Sequence, residues 1–192
     1  MTFMRAFIIA IIVTGLLHST MQKTMISREA YGPILEVVAK GESGGNYNAY
    51  FGNGANTTLR FTDMTIQEVM EWQANYVEQG SPSNAVGKYQ IIGPTLSGLV
   101  QELHISVHQR FDARMQDKMA VALINRRGAE NFIKGKLSKE QFAANLSMEW
   151  ASLPKVVGPN ADQSYYAGDG LNKAHIARDE ILAAVGNFES LA

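Results

Sequence analysis

Between residues 28 and 40, Ile34, Leu35, Val37 and Val38 recur at the spacing of one helix face, behind the opening Ser27-Arg28-Glu29-Ala30. That pattern predicts an amphipathic helix which runs out at Lys40-Gly41-Glu42, just before Ser43 and the pair Gly44-Gly45. The character of the chain then changes. Residues 47–51 and 57–62 are β-prone runs on either side of Gly52-Asn53-Gly54, the signature of a hairpin. Thr65-Ile66-Gln67-Glu68 reads as a capping box and predicts a helix over 65–79, with Ile66, Val69, Met70 and Trp72 turned inward. The cluster Gly80-Ser81-Pro82-Ser83-Asn84 ends it.

Helical patterning dominates the remainder. Pro94 suits the first turn of a helix carrying Leu96, Leu99, Val100 and Leu103. Residues 111–126 predict another, with Met115, Met119, Val121, Ala122 and Leu123, closed by Gly128. Ser138-Lys139-Glu140-Gln141 is a second capping box, opening a helix to about Trp150 that Pro154 stops. Residues 155–170 form a long polar loop, and a last helix is expected over 172–185. Helices with one small hairpin near the start make an α+β chain, and neither internal repeats nor low-complexity stretches complicate that reading.

Composition narrows the class. With 46% hydrophobic and 18% charged residues the chain is an ordinary folded protein, and its 192 residues suffice for one core. A net charge of −1, with no basic run longer than Arg126-Arg127, argues against nucleic acid as a partner. The lack of cysteine removes disulfides, thiol nucleophiles and thiolate metal sites.

The first residues speak to destination. Arg5 precedes AFIIAIIVTGLL (residues 6–17), an uncharged stretch too short for a membrane span, which needs about 20 residues, but suited to a secretory signal. Residues 1–21 are therefore expected to be a signal peptide or an uncleaved N-terminal anchor, and residues 22–192 the folded domain of a periplasmic protein.

Candidate chemistry follows by elimination. His104 and His108 share a helical spacing but lack a third ligand, so no metal or other cofactor is expected. A Gly-x-Ser-x-Gly elbow is absent, and Gly41-Glu-Ser-Gly44-Gly45 lacks the lysine of a phosphate loop. Among the 18 acidic residues Glu42 is best placed. It follows an apolar helix that shields one side, and the glycines after it leave room for a ligand. A helix C-terminus and partial burial both disfavour its charged form, which raises its pKa toward the range of a general acid. On position alone, the alternative is a solvated glutamate at a frayed helix end.

Six stretches in order carry a resemblance. Glu42-Ser43, then residues 47–51, then Phe61-Thr62-Asp63, then Gly87-Lys88-Tyr89-Gln90-Ile91, with Phe111-Asp112 through Arg127-Gly128 and Trp150-Ala151-Ser152-Leu153-Pro154 beyond, resemble the lysozyme superfamily, closest to the lambda-type endolysins and related exported muramidases. The resemblance covers most of residues 28–154 and implies a lysozyme-like domain that cuts the β-1,4 bond between N-acetylmuramic acid and N-acetylglucosamine in peptidoglycan strands. It implies Glu42 as general acid, and Tyr89 and Gln90 in the cleft with Ser43, whose alternative is a local helix cap. Tyr50 and Tyr165 are added as aromatic faces for sugar rings, with simple packing as their alternative.

Hydrolysis needs a second carboxylate, whereas lytic transglycosylases, the group to which lambda-type enzymes belong, use the sugar's own 6-hydroxyl. Asp63 is the candidate second carboxylate, and with it hydrolysis is expected; its alternative is to cap the helix near Thr65. The near-neutral charge suggests local wall opening beside a secretion or flagellar machine rather than bulk lysis. A glycan-binding module without activity and a phage endolysin with a releasable anchor are the competing readings.

Overall fold

The computed structural model describes residues 26–192. The signal or anchor expected over residues 1–21 lies outside the described residues. Among the described residues no helix is long and apolar enough to cross a membrane. The fold is mostly helical: α1 (Gly32–Ser43), α2 (Ile66–Glu78), α3 (Gly93–Glu102), α4 (Ala113–Arg126), α5 (Ala129–Ile133), α6 (Lys139–Ser147) and α7 (Arg178–Leu191).

Helix α1 outlasts its hydrophobic pattern. Gly44 adopts a left-handed φ of 63° and its N–H returns to the Ala39 carbonyl, so the helix ends there and Gly41, Glu42 and Ser43 form its last turn. The two expected capping boxes are present, with Thr65 and Glu68 starting α2 and Ser138 and Gln141 starting α6. Because Thr65 fills the cap position, Asp63 does not cap α2. Asp112 caps α4 by accepting from the Met115 N–H, which leaves Phe111 outside the helix and fully buried.

The hairpin expected over 47–62 is not built as a ladder. Among the described residues only isolated bridges occur, and Tyr50 pairs with Val86 rather than with the second run. The Phe51 N–H donates to the Ala85 carbonyl (2.9 Å) and the Gly87 N–H to Ala49 (2.8 Å). Asparagine amides take the bonds a partner strand would have made. Asn56, 3% exposed, donates to the carbonyls of Asn48 (2.5 Å) and Leu59 (2.7 Å), while the Asn48 side chain accepts from the Thr62 N–H (2.9 Å). Side chains of this type compete with ladder pairing wherever they can reach neighbouring backbone.

Two aromatic groups pin the domain. Phe132, Phe142 and Phe188 bring α5, α6 and α7 together, with Phe132 and Phe142 stacked at 5.0 Å and Tyr31 against Phe188 at 5.3 Å. Tyr50, Phe61, Trp72 and Tyr76 join the turn-rich segment to α2, with Phe61 edge-on to Trp72 at 4.8 Å. Helix α7 packs on both α1 and α6 and starts at residue 178, six residues later than expected. Residues 172–177 stay extended because the N–H groups of His175 and Ile176 both donate to the Ser152 carbonyl (2.8 and 3.1 Å). Asp169 also takes the Asn172 N–H (2.8 Å) and holds a turn at that point.

Asn56→Ala is expected to lower the unfolding free energy by about 2–4 kcal/mol, since it strands several buried backbone groups. Urea denaturation measures it, and a loss below about 0.5 kcal/mol, the level of a neutral surface change, would remove this asparagine from its organising role.

Candidate active site

A cleft of about 740 Å³ is lined by the 50–54 turn and by residues drawn from 82–92, 148–152 and 171–175. Glu42 lies in its lining. The last turn of α1 delivers it there, and Gly41 makes the delivery possible. A Cβ on Gly41 would stand 2.5 Å from Ser152 Oγ and 2.9 Å from the Ile176 side chain. With no side chain at 41, the chain after α6 lies directly on the helix end, and the Ser152 N–H donates to Glu42 Oε1 at 3.1 Å. Because that oxygen accepts, a proton on the neutral carboxyl belongs on Oε2.

Burial pushes the pKa of Glu42 above its ordinary value. The Ser152 side chain, its N–H and the charge of His175 pull the other way, and burial outweighs each of them. A helix C-terminus adds to the cost of the charged form. The result is a carboxyl that retains its proton at higher pH than a surface glutamate.

The Gly87-Lys88-Tyr89-Gln90-Ile91 segment gives the cleft wall Tyr89, Gln90 and Ile91. Ser43 does not line the cleft; its hydroxyl donates to the Lys88 carbonyl (2.7 Å) and ties the end of α1 to this segment. Behind the wall, Asp117 of α4 accepts from the hydroxyls of Tyr47 (2.8 Å) and Tyr89 (2.7 Å). Tyr89 therefore lines the cleft as a buried floor whose hydroxyl is already engaged. Burial, with the hydrogen bond to Asp117 second, raises its pKa, and the same two causes push Tyr47 up to about 12. Gly87 is required here: its φ is 78°, and a Cβ would meet Gln116 Oε1, the acceptor of the Lys88 N–H. Gln90 lines the cleft with a left-handed φ of 46°, its amide donating to the Gly87 carbonyl (2.9 Å).

The other expected residues divide. Tyr50 lines the cleft, packed edge-on against Trp72 and Tyr76. Tyr165 is 48% exposed and outside the lining, and its neighbour Tyr166 lines it instead, held by a hydroxyl bond to the Met148 carbonyl (2.7 Å). Asp63 is also outside the lining. It closes a short turn over Phe61–Asp63 and faces Arg60 at 3.5 Å with 58% of its side chain exposed.

Sequence reasoning missed Ser152, His175, Asn172, Lys173 and the Arg127–Glu149 pair. Glu149 is the other carboxylate in the lining, and Arg127 holds it at 2.7 Å while also donating to the Met148 carbonyl. The late start of α7 is the reason residues 172–175 reach the cleft. The one usable signal for Ser152 was its place in the Trp150-Ala151-Ser152-Leu153-Pro154 stretch. Among the described residues no group of three or more potential metal ligands occurs.

Gly41→Ala is expected to destabilise by about 1–3 kcal/mol through overpacking and to cut any activity at least about tenfold by pushing Ser152 from Glu42. Gly32, with open space around its Cβ position and helical backbone, is the control: Gly32→Ala should be neutral or stabilising by up to about 1 kcal/mol. Thermal unfolding and an activity assay on both variants check the contrast.

A family model described as Endolysin matches residues 34–179. No curated protein matches the chain, and neither does any solved structure. The match spans most of the chain, including α1 with Glu42, the cleft walls and the start of α7. The chain belongs to the endolysin family, and with it to the enzymes that degrade cell-wall peptidoglycan.

Proposed function

We propose that the protein cleaves the β-1,4 bond between N-acetylmuramic acid and N-acetylglucosamine, as a lytic transglycosylase with Glu42 as its general acid and then its general base. One observation carries this reading: the cleft is lined by a single carboxyl that is not ion-paired, and burial favours its protonated form. Glu42 donates its proton to the glycosidic oxygen as the C1–O bond breaks and the electron pair leaves with that oxygen. The ring then carries oxocarbenium character.

A second carboxylate would serve hydrolysis, but Glu149 is neutralised by Arg127 and Asp63 faces Arg60 outside the cleft. The 6-hydroxyl of the same muramic acid attacks C1 instead and returns its proton to Glu42, giving a 1,6-anhydro product. Tyr50 and Tyr166 present aromatic surface on either side of the cleft, which suits pyranose rings. The apolar segment over residues 6–17 supports delivery to the wall, whether released or retained as an anchor. The near-neutral charge supports local cleavage of the polymer, as beside a secretion or flagellar machine.

Glu42→Gln should reduce peptidoglycan solubilisation by about 10³-fold, while Asp63→Asn stays within about twofold of the parent. Mass spectrometry of the released muropeptides should find 1,6-anhydro ends; reducing ends would replace transglycosylation by hydrolysis, and full activity of Glu42→Gln would sink the assignment.

The raised pKa of Glu42 also fixes two signs. Activity requires the protonated acid, so the rate is lost as pH rises through a pKa above the ordinary carboxylate range. Stability follows the same direction. A folded-state pKa above the unfolded one means stability present below the unfolded pKa and lost as pH rises through the folded pKa. Glu42→Gln should accordingly melt at a higher temperature than the parent at neutral pH and above, with the difference vanishing in acid; calorimetry across pH tests this.

A further inference from the structure

Ser152 is 3% exposed and lines the cleft; its hydroxyl is buried and makes no hydrogen bond of ordinary geometry, yet it lies near enough to Glu42 to favour the charged carboxylate. Its backbone is fully occupied: the N–H serves Glu42 Oε1, and the carbonyl accepts from His175 and Ile176. The hydroxyl is thus the one polar group of this residue left over, in a close contact where even a methyl on Gly41 would collide with it. A buried hydroxyl without a partner costs stability, of the order of 1–3 kcal/mol. A filler serving packing alone would be better as alanine.

Resting on the reading of Glu42 as general acid, we propose that Ser152 is a positioning residue for that acid: its hydroxyl is the donor held ready for the Glu42 carboxylate at the moment the proton has left. While the carboxyl holds its proton, one donor, the Ser152 N–H, suffices. When the proton passes to the glycosidic oxygen, the carboxylate gains acceptor capacity, and water is the only competing donor unless the protein supplies one. The Ser152 O–H turns to it, so that N–H and O–H from one residue hold the anion until the attacking hydroxyl returns a proton. No bond to Ser152 forms or breaks. The donor needs no reorganisation of backbone, which is why it lowers the barrier rather than merely the ground state. The side chain's pull on the Glu42 pKa, opposite in sign to the larger effect of burial, agrees with a donor poised for the charged form.

The other charged or titratable groups facing the cleft are His175 and Lys173 before α7, Arg126 and Arg127 at the end of α4, Glu149 after α6, and the tyrosines. The charge of His175 favours the carboxylate form of Glu42, so the pH arm below is run with and without His175→Gln.

The test is Ser152→Ala, which keeps the N–H and removes the hydroxyl. Expected are a kcat lower by about 10- to 100-fold with KM within about twofold, and a loss of activity at high pH displaced upward by about half to one unit, because the charged form of Glu42 has lost a donor. Thermal stability should be equal to or above the parent's. Packing alone predicts the same gain in stability with kcat and the pH limb unmoved, and that result would overturn the proposal. Should Ser152→Ala not fold, Ser152→Cys, a small side chain with a weaker donor, carries the same two readouts. Glu42→Gln separates the levels: if it stays active the reading of Glu42 fails, whereas an inactive Glu42→Gln beside an unaltered Ser152→Ala rejects only the role of Ser152.

Discussion

The close approach of two backbones at Gly41 is the constraint on which the rest of the site depends. A helix end and a loop ordinarily stand apart by the thickness of a side chain, and here that layer is missing. Ser152 sits against the helix, its N–H meets Glu42, and its carbonyl draws residues 175 and 176 down on the far side. Three segments far apart in the chain, the end of α1, the stretch after α6 and the stretch before α7, are locked at one point. The ion pair of Lys40 with Glu180 (2.8 Å) spans the same junction on the surface, where solvent leaves it a minor contribution.

A second tie sets the width of the cleft. Ser43 bonds the Lys88 carbonyl, and Asp117 holds the hydroxyls of Tyr47 and Tyr89 from behind. Gln116, fully buried, accepts the Lys88 N–H and donates to the carbonyls of Tyr47 and Phe111. Its two amide groups join the turn after α1, the cleft wall and the start of α4. Each partner is satisfied, which makes such a network rigid instead of merely polar. Glu42 is therefore caught between two walls that are each anchored elsewhere. That is the condition for a proton donor whose position must not drift.

Stability and chemistry pull against one another in this arrangement. Burying an acid and leaving a serine hydroxyl unpartnered both work against the folded state. Large apolar groupings, Phe132, Phe142 and Phe188 in one and Tyr50, Phe61, Trp72 and Tyr76 in the other, offset that cost. Phe61 and the three phenylalanines belong to one continuous hydrophobic core, against which Tyr50 and Trp72 pack.

Much of the helical order was legible in the sequence because its signals are local: the capping boxes at Thr65 and Ser138 and the apolar spacing of α2, α3 and α4 act within one turn of their own residues. Glu42 was legible for a related reason, as an acid placed where a helix ends among glycines, and the family likeness rested on short ordered stretches. Other features depended on partners distant in the chain. The β-prone run at 47–51 paired with residues 85–87 instead of 57–62, because the side chains of Asn48 and Asn56 had claimed the local bonds. Residues 172–177 read as helix and were held out of it by bonds to the Ser152 carbonyl, and His175 lines the cleft. Local signals marked six of the seven helices and the acid at a helix end, while the short α5 went unread. Only the tertiary structure decided what faces that acid, since hydrogen bonds across more than a hundred residues of chain leave no periodic trace in it.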